Sequence, residues 1–124
     1  MMYSGWDLTA QAIELILVRT APIYPEVRCK HVTYDVAEVI SEAPPPVTIR
    51  AYGVLDYQDY QVLAVTVDGK LMQPRKDRMF HVTISHGIAM PSSHAGVLLK
   101  EQVRRIKPIQ PFLLPAVPFV RPLG

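Results

Sequence analysis

Prolines divide this chain into segments and limit the length of any helix. Twelve of the 124 residues are proline, and they are concentrated at positions 44–46 and 108–122. Because proline lacks a backbone N–H and fixes φ, both stretches predict stiff, extended chain rather than regular helix. The length suits one packed core, so we predict a single domain over residues 1–124 that ends in a proline-rich extended tail at 108–124.

The charge balance argues against wrapping around long nucleic acid. Thirteen basic and eleven acidic residues give a formal net charge of +2. A protein that binds long duplex nucleic acid needs enough basic residues to neutralise many phosphates, whereas a small anionic ligand needs far fewer. We therefore expect a small anionic partner, and no long duplex nucleic acid.

The compartment is predicted from cysteine usage and from the start of the chain. Cys29 is the single cysteine and cannot form an internal disulfide, and no signal-peptide pattern opens the sequence. The longest apolar run, 109–120, contains three prolines and is too short to span a bilayer. We expect a cytoplasmic protein, in the host cytoplasm if it is phage-encoded, without a membrane segment. The apolar tail is expected to pack along the domain or against a second copy, so a homo-oligomer is an open alternative.

Local patterns predict an α+β fold. Apolar residues at helical spacing predict a first helix over residues 7–19, with Asp7 or Thr9 as its cap. Strand patterns follow at 30–40, 47–55, 61–69 and 79–85, with a turn at 57–59. A second helix is predicted from Ser92 or Ser93 to Pro108. These elements favour an antiparallel sheet around a cleft, with a few flanking helices.

The same triplet occurs twice, as His31-Val32-Thr33 and as His81-Val82-Thr83. On a strand, residues i and i+2 share one face, so each triplet presents a histidine beside a threonine. Two such strands facing each other would place an imidazole on either side of a phosphate, one as general base and one as general acid. The threonine hydroxyls would donate to the non-bridging oxygens. The alternative is that these are ordinary strand residues repeated by chance.

The paired triplets resemble the 2H phosphoesterase superfamily, whose members carry two His-x-Thr or His-x-Ser motifs. The segment YSGWDLT, and AVTVDG followed nine residues later by MFHVTIS, are similar to cyclic phosphodiesterase domains of fungal tRNA ligases and to phage and bacterial relatives. This similarity covers about residues 3 to 100, although the chain is shorter than the larger members, with only fifty residues between motifs.

The resemblance implies a two-lobed fold with the motif strands lining a central cleft. It also implies a phosphodiesterase, without metal or other cofactor, acting on 2′,3′-cyclic phosphate RNA ends, cyclic nucleotides or cyclic oligonucleotides. The catalytic residues would be His31, Thr33, His81 and Thr83. A module that binds nucleotide or RNA without turnover, or an interaction module, remains the alternative.

Further residues are candidates for substrate binding, namely Tyr3, Trp6, Tyr34, Arg78 and His86. Aromatic side chains stack on bases, but packing in the core is the competing interpretation for them. Basic residues before the two motifs can attract a second phosphate, or can simply be solvated: Lys30, Arg75, Lys76 and Arg78. A zinc site of His81, His86, His94 and Cys29 is a further alternative, but their spacing matches no recognised zinc motif.

Overall fold

The prediction of an α+β fold with antiparallel sheet is confirmed in a computed structural model, which describes residues 1–123. Its elements in chain order are β1 (Met2–Leu8), α1 (Ala10–Arg19), β2 (Glu26–Val27), β3 (His31–Ala37), β4 (Ile49–Tyr57), β5 (Tyr60–Val67), β6 (His81–His86), α2 (Ala95–Glu101), β7 (Lys107–Leu113) and β8 (Ala116–Pro122). The strands form a three-stranded sheet in the order β3-β1-β8 and a five-stranded sheet in the order β2-β6-β5-β4-β7. All pairs are antiparallel.

The first helix is shorter at its start than the pattern predicted. Thr9 caps α1, because its Oγ1 accepts a hydrogen bond from the backbone N–H of Ala12 at 3.2 Å. Asp7 and Leu8 instead belong to β1, a strand that the periodicity did not predict. β1 lies between β3 and β8, and pairing on both sides holds the residues before Thr9 extended.

The predicted hairpin is present. Tyr57 pairs with Tyr60, and the two residues between them have positive φ values of 49° at Gln58 and 64° at Asp59. Two successive positive φ values are characteristic of a turn that matches the right-handed twist of the strands. The hairpin places β5 in the middle of the larger sheet, where seven of its eight residues are buried.

The second helix was predicted too long. Neither serine caps it with its side chain. Ser92–His94 form a 3₁₀ turn, α2 ends at Glu101, and a second 3₁₀ turn covers Val103–Arg105. Lys107 already pairs with Val54 at the start of β7. The predicted helix therefore ends early, because Val103 and Ile106 lie in and just after a 3₁₀ turn and the chain then pairs with β4.

The proline-rich tail forms two strands, each at the edge of a different sheet. β7 closes the five-stranded sheet beside β4, and β8 closes the three-stranded sheet beside β1. Proline is tolerated at a sheet edge because its missing N–H removes no hydrogen bond from an inner ladder, and it also discourages pairing with another chain. The tail therefore packs along its own domain. Its expected role in a homo-oligomer stays a prediction.

Within residues 1–123, no helix is long and apolar enough to cross a membrane.

Gly5 lets β1 approach β3 closely. The register between these strands shifts between Ser4 and Gly5, and Gly5 then pairs with Thr33. A Cβ at Gly5 would overlap the backbone carbonyl oxygen of Val32 and would lie 3.0 Å from the Cα of Thr33. These obstacles are backbone atoms of the first motif, which cannot rotate aside, so the motif strand depends on glycine here.

We expect Gly5→Ala to lower the free energy of unfolding by roughly 1–3 kcal/mol, because β3 must move to relieve the overlap. Gly69→Ala is the control: φ there is +78°, but nothing lies within 4 Å of the added Cβ. Gly69→Ala should lower the free energy of unfolding by only about 1–2 kcal/mol, the cost of placing a residue with a Cβ at a positive φ. Urea unfolding measures the free energy of unfolding of both variants. Equal losses in the two variants, with amide exchange in β3 unchanged by Gly5→Ala, would contradict the close approach of β1 to β3 as the cause.

Candidate active site

One short segment carries the chain from the larger sheet to the smaller one. The backbone N–H groups of Arg28 and Cys29 donate to the carbonyl oxygens of Ile84 and Thr83, at 2.9 and 2.7 Å. The carbonyl of the next residue, Lys30, then accepts from Leu8 N–H at 2.9 Å. Cys29 has a positive φ of 50°, an unusual conformation for a side-chain-bearing residue. The turn at Cys29 thus leads from β2, which pairs with the second motif strand β6, into the first motif strand β3.

Both motifs open onto one cavity of about 520 Å³ between the sheets. His31 and Thr33 line it from β3, and His81 and Thr83 line it from β6. Val32 and Val82 are fully buried on the opposite faces. The two-residue period of a strand explains this division. The structure therefore brings all four candidate catalytic side chains to a common space.

His81 has a fixed tautomer. Its Nδ1 lies 2.9 Å from the carbonyl oxygen of Met79, which can only accept, so Nδ1 carries the proton. In the neutral ring, Nε2 then keeps its lone pair. The ring is packed tightly against α2, since a Cβ at Gly96 would lie 2.8 Å from its Cε1.

Burial lowers the pKa of His81 to about 4, although the bond to Met79 opposes the shift. The guanidinium groups of Arg78 and Arg75, and His31 in its charged form, lower it further. His81 is therefore neutral at physiological pH.

His31 lies among aromatic rings. Its ring centroid is 5.6 Å from that of Tyr3 and 5.7 Å from that of Phe119. Its Nδ1 is buried and has no hydrogen-bond partner within residues 1–123. Burial lowers the pKa of His31, and the charge of Arg121 adds to this, while the carboxylate of Asp7 opposes it.

Arg121 is a site residue that the sequence did not reveal. Its Nη1 and Nη2 donate to the two carboxylate oxygens of Asp7 at 2.8 and 2.9 Å, and its Nε donates to the Tyr3 hydroxyl at 2.9 Å. The guanidinium also stacks 3.8 Å from the centre of the Phe119 ring. These bonds join β8 to β1, and the bond to Asp7 raises the pKa of Arg121. Phe119 and Arg121 are two residues apart, so the sequence already indicates that they share one face of a strand. Only the pairing of β8 with β1 shows that Arg121 lies at the cavity.

Of the candidate substrate-binding residues, Tyr3 and Arg78 line the cavity. Trp6 and Tyr34 do not. Trp6 is 1% exposed and donates from Nε1 to the carbonyl of Pro45 at 2.9 Å. Tyr34 packs against Trp6, with ring centroids 5.4 Å apart, and lies next to Thr33 on the opposite face of β3. Strand alternation thus directs both rings away from the motif histidines.

His86 also lies outside the cavity lining, but it contacts a residue that belongs to it. Its Nδ1 donates to the carbonyl of Gly87 at 2.8 Å, which leaves Nε2 to accept from Nε of Arg28 at 3.1 Å. His86 is only 2% exposed. His86 therefore orients Arg28, and direct substrate contact by His86 stays a prediction.

The cavity lining is strongly cationic. Its basic side chains are Arg28, Lys30, Arg75, Arg78 and Arg121. Such a lining attracts anions and stabilises negative charge that develops on a bound group. The arrangement can therefore hold an anion between two histidine–threonine pairs and supply proton acceptors and donors to it.

No group of three or more His, Cys, Asp or Glu side chains within residues 1–123 is arranged to hold a metal ion. The four residues considered as zinc ligands therefore do not form such a group. Cys29 is buried, and burial raises the pKa of its thiol to about 11, so it behaves as a small apolar residue.

We expect acid to destabilise the fold through His81. Its pKa falls from 6.5 when unfolded to about 4 when folded, so the unfolded chain takes up the proton first as the pH drops. Stability that is complete above pH 6.5 is therefore lost as the pH falls towards 4, by on the order of 2 kcal/mol between pH 7 and pH 5.

His81→Asn is the matched variant, because the amide can still donate to Met79 but does not titrate. Urea unfolding at pH 7 and pH 5 should show a smaller loss in this variant than in the wild type. The same loss in both proteins would disprove the assignment of the acid sensitivity to His81.

Comparison of the chain with protein-family models, with curated proteins and with solved structures gives no significant match. The resemblance to 2H phosphoesterases rests on the motif residues themselves.

Proposed function

We propose that this protein is a metal-independent phosphodiesterase of the 2H type. Its substrates are 2′,3′-cyclic phosphates at RNA ends, cyclic nucleotides or cyclic oligonucleotides. The observation that carries the proposal is that two His-Thr pairs, one from each sheet, line the same cationic cavity. Two sheets that each contribute one motif strand also agree with the two-lobed fold that the resemblance implies.

We assign His81 as the general base. The hydrogen bond from its Nδ1 to Met79 leaves Nε2 free to accept a proton, and its pKa of about 4 keeps it neutral near pH 7. A base must be unprotonated before the reaction, and a carbonyl on the far nitrogen stabilises the imidazolium that then forms.

We assign His31 as the general acid. The carboxylate of Asp7 favours an imidazolium at this position. Burial of the ring opposes that charge, and so does the nearby guanidinium of Arg121. A bound phosphate supplies the missing negative charge and raises the pKa of His31, so the acid is charged once substrate is present.

The reaction balances without a further reagent. Water attacks the phosphorus of the cyclic ester while Nε2 of His81 takes a proton from it. The bond from phosphorus to one ribose oxygen breaks, and this oxygen takes a proton from His31. The product is a phosphomonoester, and Thr33 and Thr83 donate to the non-bridging oxygens on which charge accumulates. A cytoplasmic setting, expected from the lone cysteine, belongs to the same proposal.

The decisive test is turnover of a 2′,3′-cyclic nucleotide in excess chelator. His31→Ala and His81→Ala should each reduce kcat by roughly 10²–10⁴, and the double variant should be little worse than either one, because the two residues act as a unit. His94→Ala is the control, since His94 is exposed and does not line the cavity. Circular dichroism of each variant checks the fold.

Activity that disappears with chelator and returns with zinc would overturn the metal-independent mechanism. Binding of the nucleotide without any turnover would instead identify a non-catalytic binding module that uses the same cavity.

The threonines give a separate prediction. Thr33→Val and Thr83→Val should each lower kcat by about 10²–10³ with little change in stability, because valine keeps the β-branched shape but removes the donor. Thr→Ser should be milder, since the hydroxyl remains. Thr66→Val on β5 serves as control, because Thr66 is half-buried outside the cavity. Steady-state kinetics at saturating substrate measures kcat. Wild-type kcat values for both valine variants would show that the two threonines favour the strand conformation but do not act in catalysis.

A further inference from the structure

The cavity carries more positive charge than one phosphate diester can neutralise. Of its five basic residues, Arg121 is paired with Asp7 and Arg78 with Asp77. Within residues 1–123, the other three have no carboxylate within 4.0 Å, namely Arg28, Lys30 and Arg75. A cyclic phosphate held between the histidines brings a single negative charge, so most of this excess remains.

Arg75 is a cavity cation with a hydrogen-bond donor that lacks an acceptor within residues 1–123. Its Nη2 donates to Oε1 of Gln73 at 2.8 Å, and the Gln73 amide is itself buried and donates to the carbonyl of Met79 at 3.3 Å. A neutral amide therefore fixes the guanidinium without neutralising it. Its Nε is buried and has no acceptor within the described part of the chain. An anion that accepts from this N–H would relieve the free-energy cost of leaving a buried donor unsatisfied.

Arg78 lies beside Arg75 on the same side of the cavity. Burial and the charge of Arg78 both lower the pKa of Arg75, while Asp35 acts in the opposite direction from beyond ion-pair distance. Arg78 donates from Nη1 to the carbonyl of Ser93 at 3.3 Å and from Nε to Asp77 at 3.2 Å. Two neighbouring guanidinium groups on fixed supports suit a phosphate, because each presents planar N–H donors.

We propose that the cavity takes a nucleotide carrying a second phosphate group, which Arg75 and Arg78 bind while the two His-Thr pairs hold the cyclic phosphate. This inference rests on the proposed function, since it takes the His-Thr pairs as the reacting centre. The cavity volume of about 520 Å³ lies in the range of sites that enclose a whole small ligand. Arg75 and Arg78 are binding residues here, distinct from the residues that move protons.

A matched pair of substrates tests the proposal: adenosine 2′,3′-cyclic phosphate with a free 5′-hydroxyl, and the same compound with a 5′-phosphate. The wild type should show a kcat/KM roughly ten- to a hundredfold higher for the 5′-phosphorylated compound, mainly through a lower KM. Arg75→Gln should reduce this ratio to near one. Lys76→Gln is the control, because it removes the same charge from an exposed neighbour outside the cavity lining, and it should leave the ratio unchanged.

Failure of this inference is distinguishable from failure of the proposed function. Turnover of both compounds without preference, or a preference that Arg75→Gln retains, overturns the second phosphate site alone. If neither compound is turned over, calorimetry with adenosine 3′,5′-bisphosphate and adenosine 3′-monophosphate separates binding from catalysis. A bisphosphate preference that Arg75→Gln abolishes then supports the second site and rejects the phosphodiesterase, whereas equal binding of both rejects the second site as well.

Discussion

The backbone pairing of Arg28 and Cys29 with β6 is the constraint on which the candidate site depends. Cys29 N–H donates to the carbonyl of Thr83 at 2.7 Å, so the residue two before His31 is bonded to the second motif. The positive φ of Cys29 then turns the chain into the smaller sheet. Because this connection is only three residues long, the two motif strands cannot separate without breaking it.

The electrostatics of the cavity link ligand binding to proton transfer. Burial and neighbouring cations lower the pKa of both motif histidines. The same cations favour an anion, and a bound anion would favour the charged imidazole that a general acid requires. The lowered pKa of His31 is thus compatible with the proposed chemistry.

The local sequence correctly predicted the elements in which the spacing of apolar residues matches the secondary structure that forms. The β4–β5 hairpin and the strands around both triplets follow from alternating apolar residues and from turn chemistry. The sequence patterns gave wrong predictions where pairing with residues distant in the sequence decided the structure. β1 was missed because it is held by β3 and β8 on either side. α2 was extended too far because the chain after Glu101 forms a 3₁₀ turn and then pairs with β4 from Lys107 onwards. The sequence could not show that Trp6 and Tyr34 lie outside the cavity lining, because residue type does not indicate which face of a strand is covered.

The sequence by itself determined the chemistry within each motif. The two-residue strand period alone places His31 beside Thr33 and His81 beside Thr83, with the intervening valines in the core. Only the tertiary structure decided what surrounds them. Arg121 and the clamp formed by Asp7 and Tyr3 come from β8 and β1, and the carbonyl that fixes the tautomer of His81 is that of Met79, two residues before it. The physical reason is that side-chain direction follows from local backbone geometry, whereas the charge and burial around the motifs depend on strand pairing, which joins Arg121 to Asp7 across 114 residues of sequence.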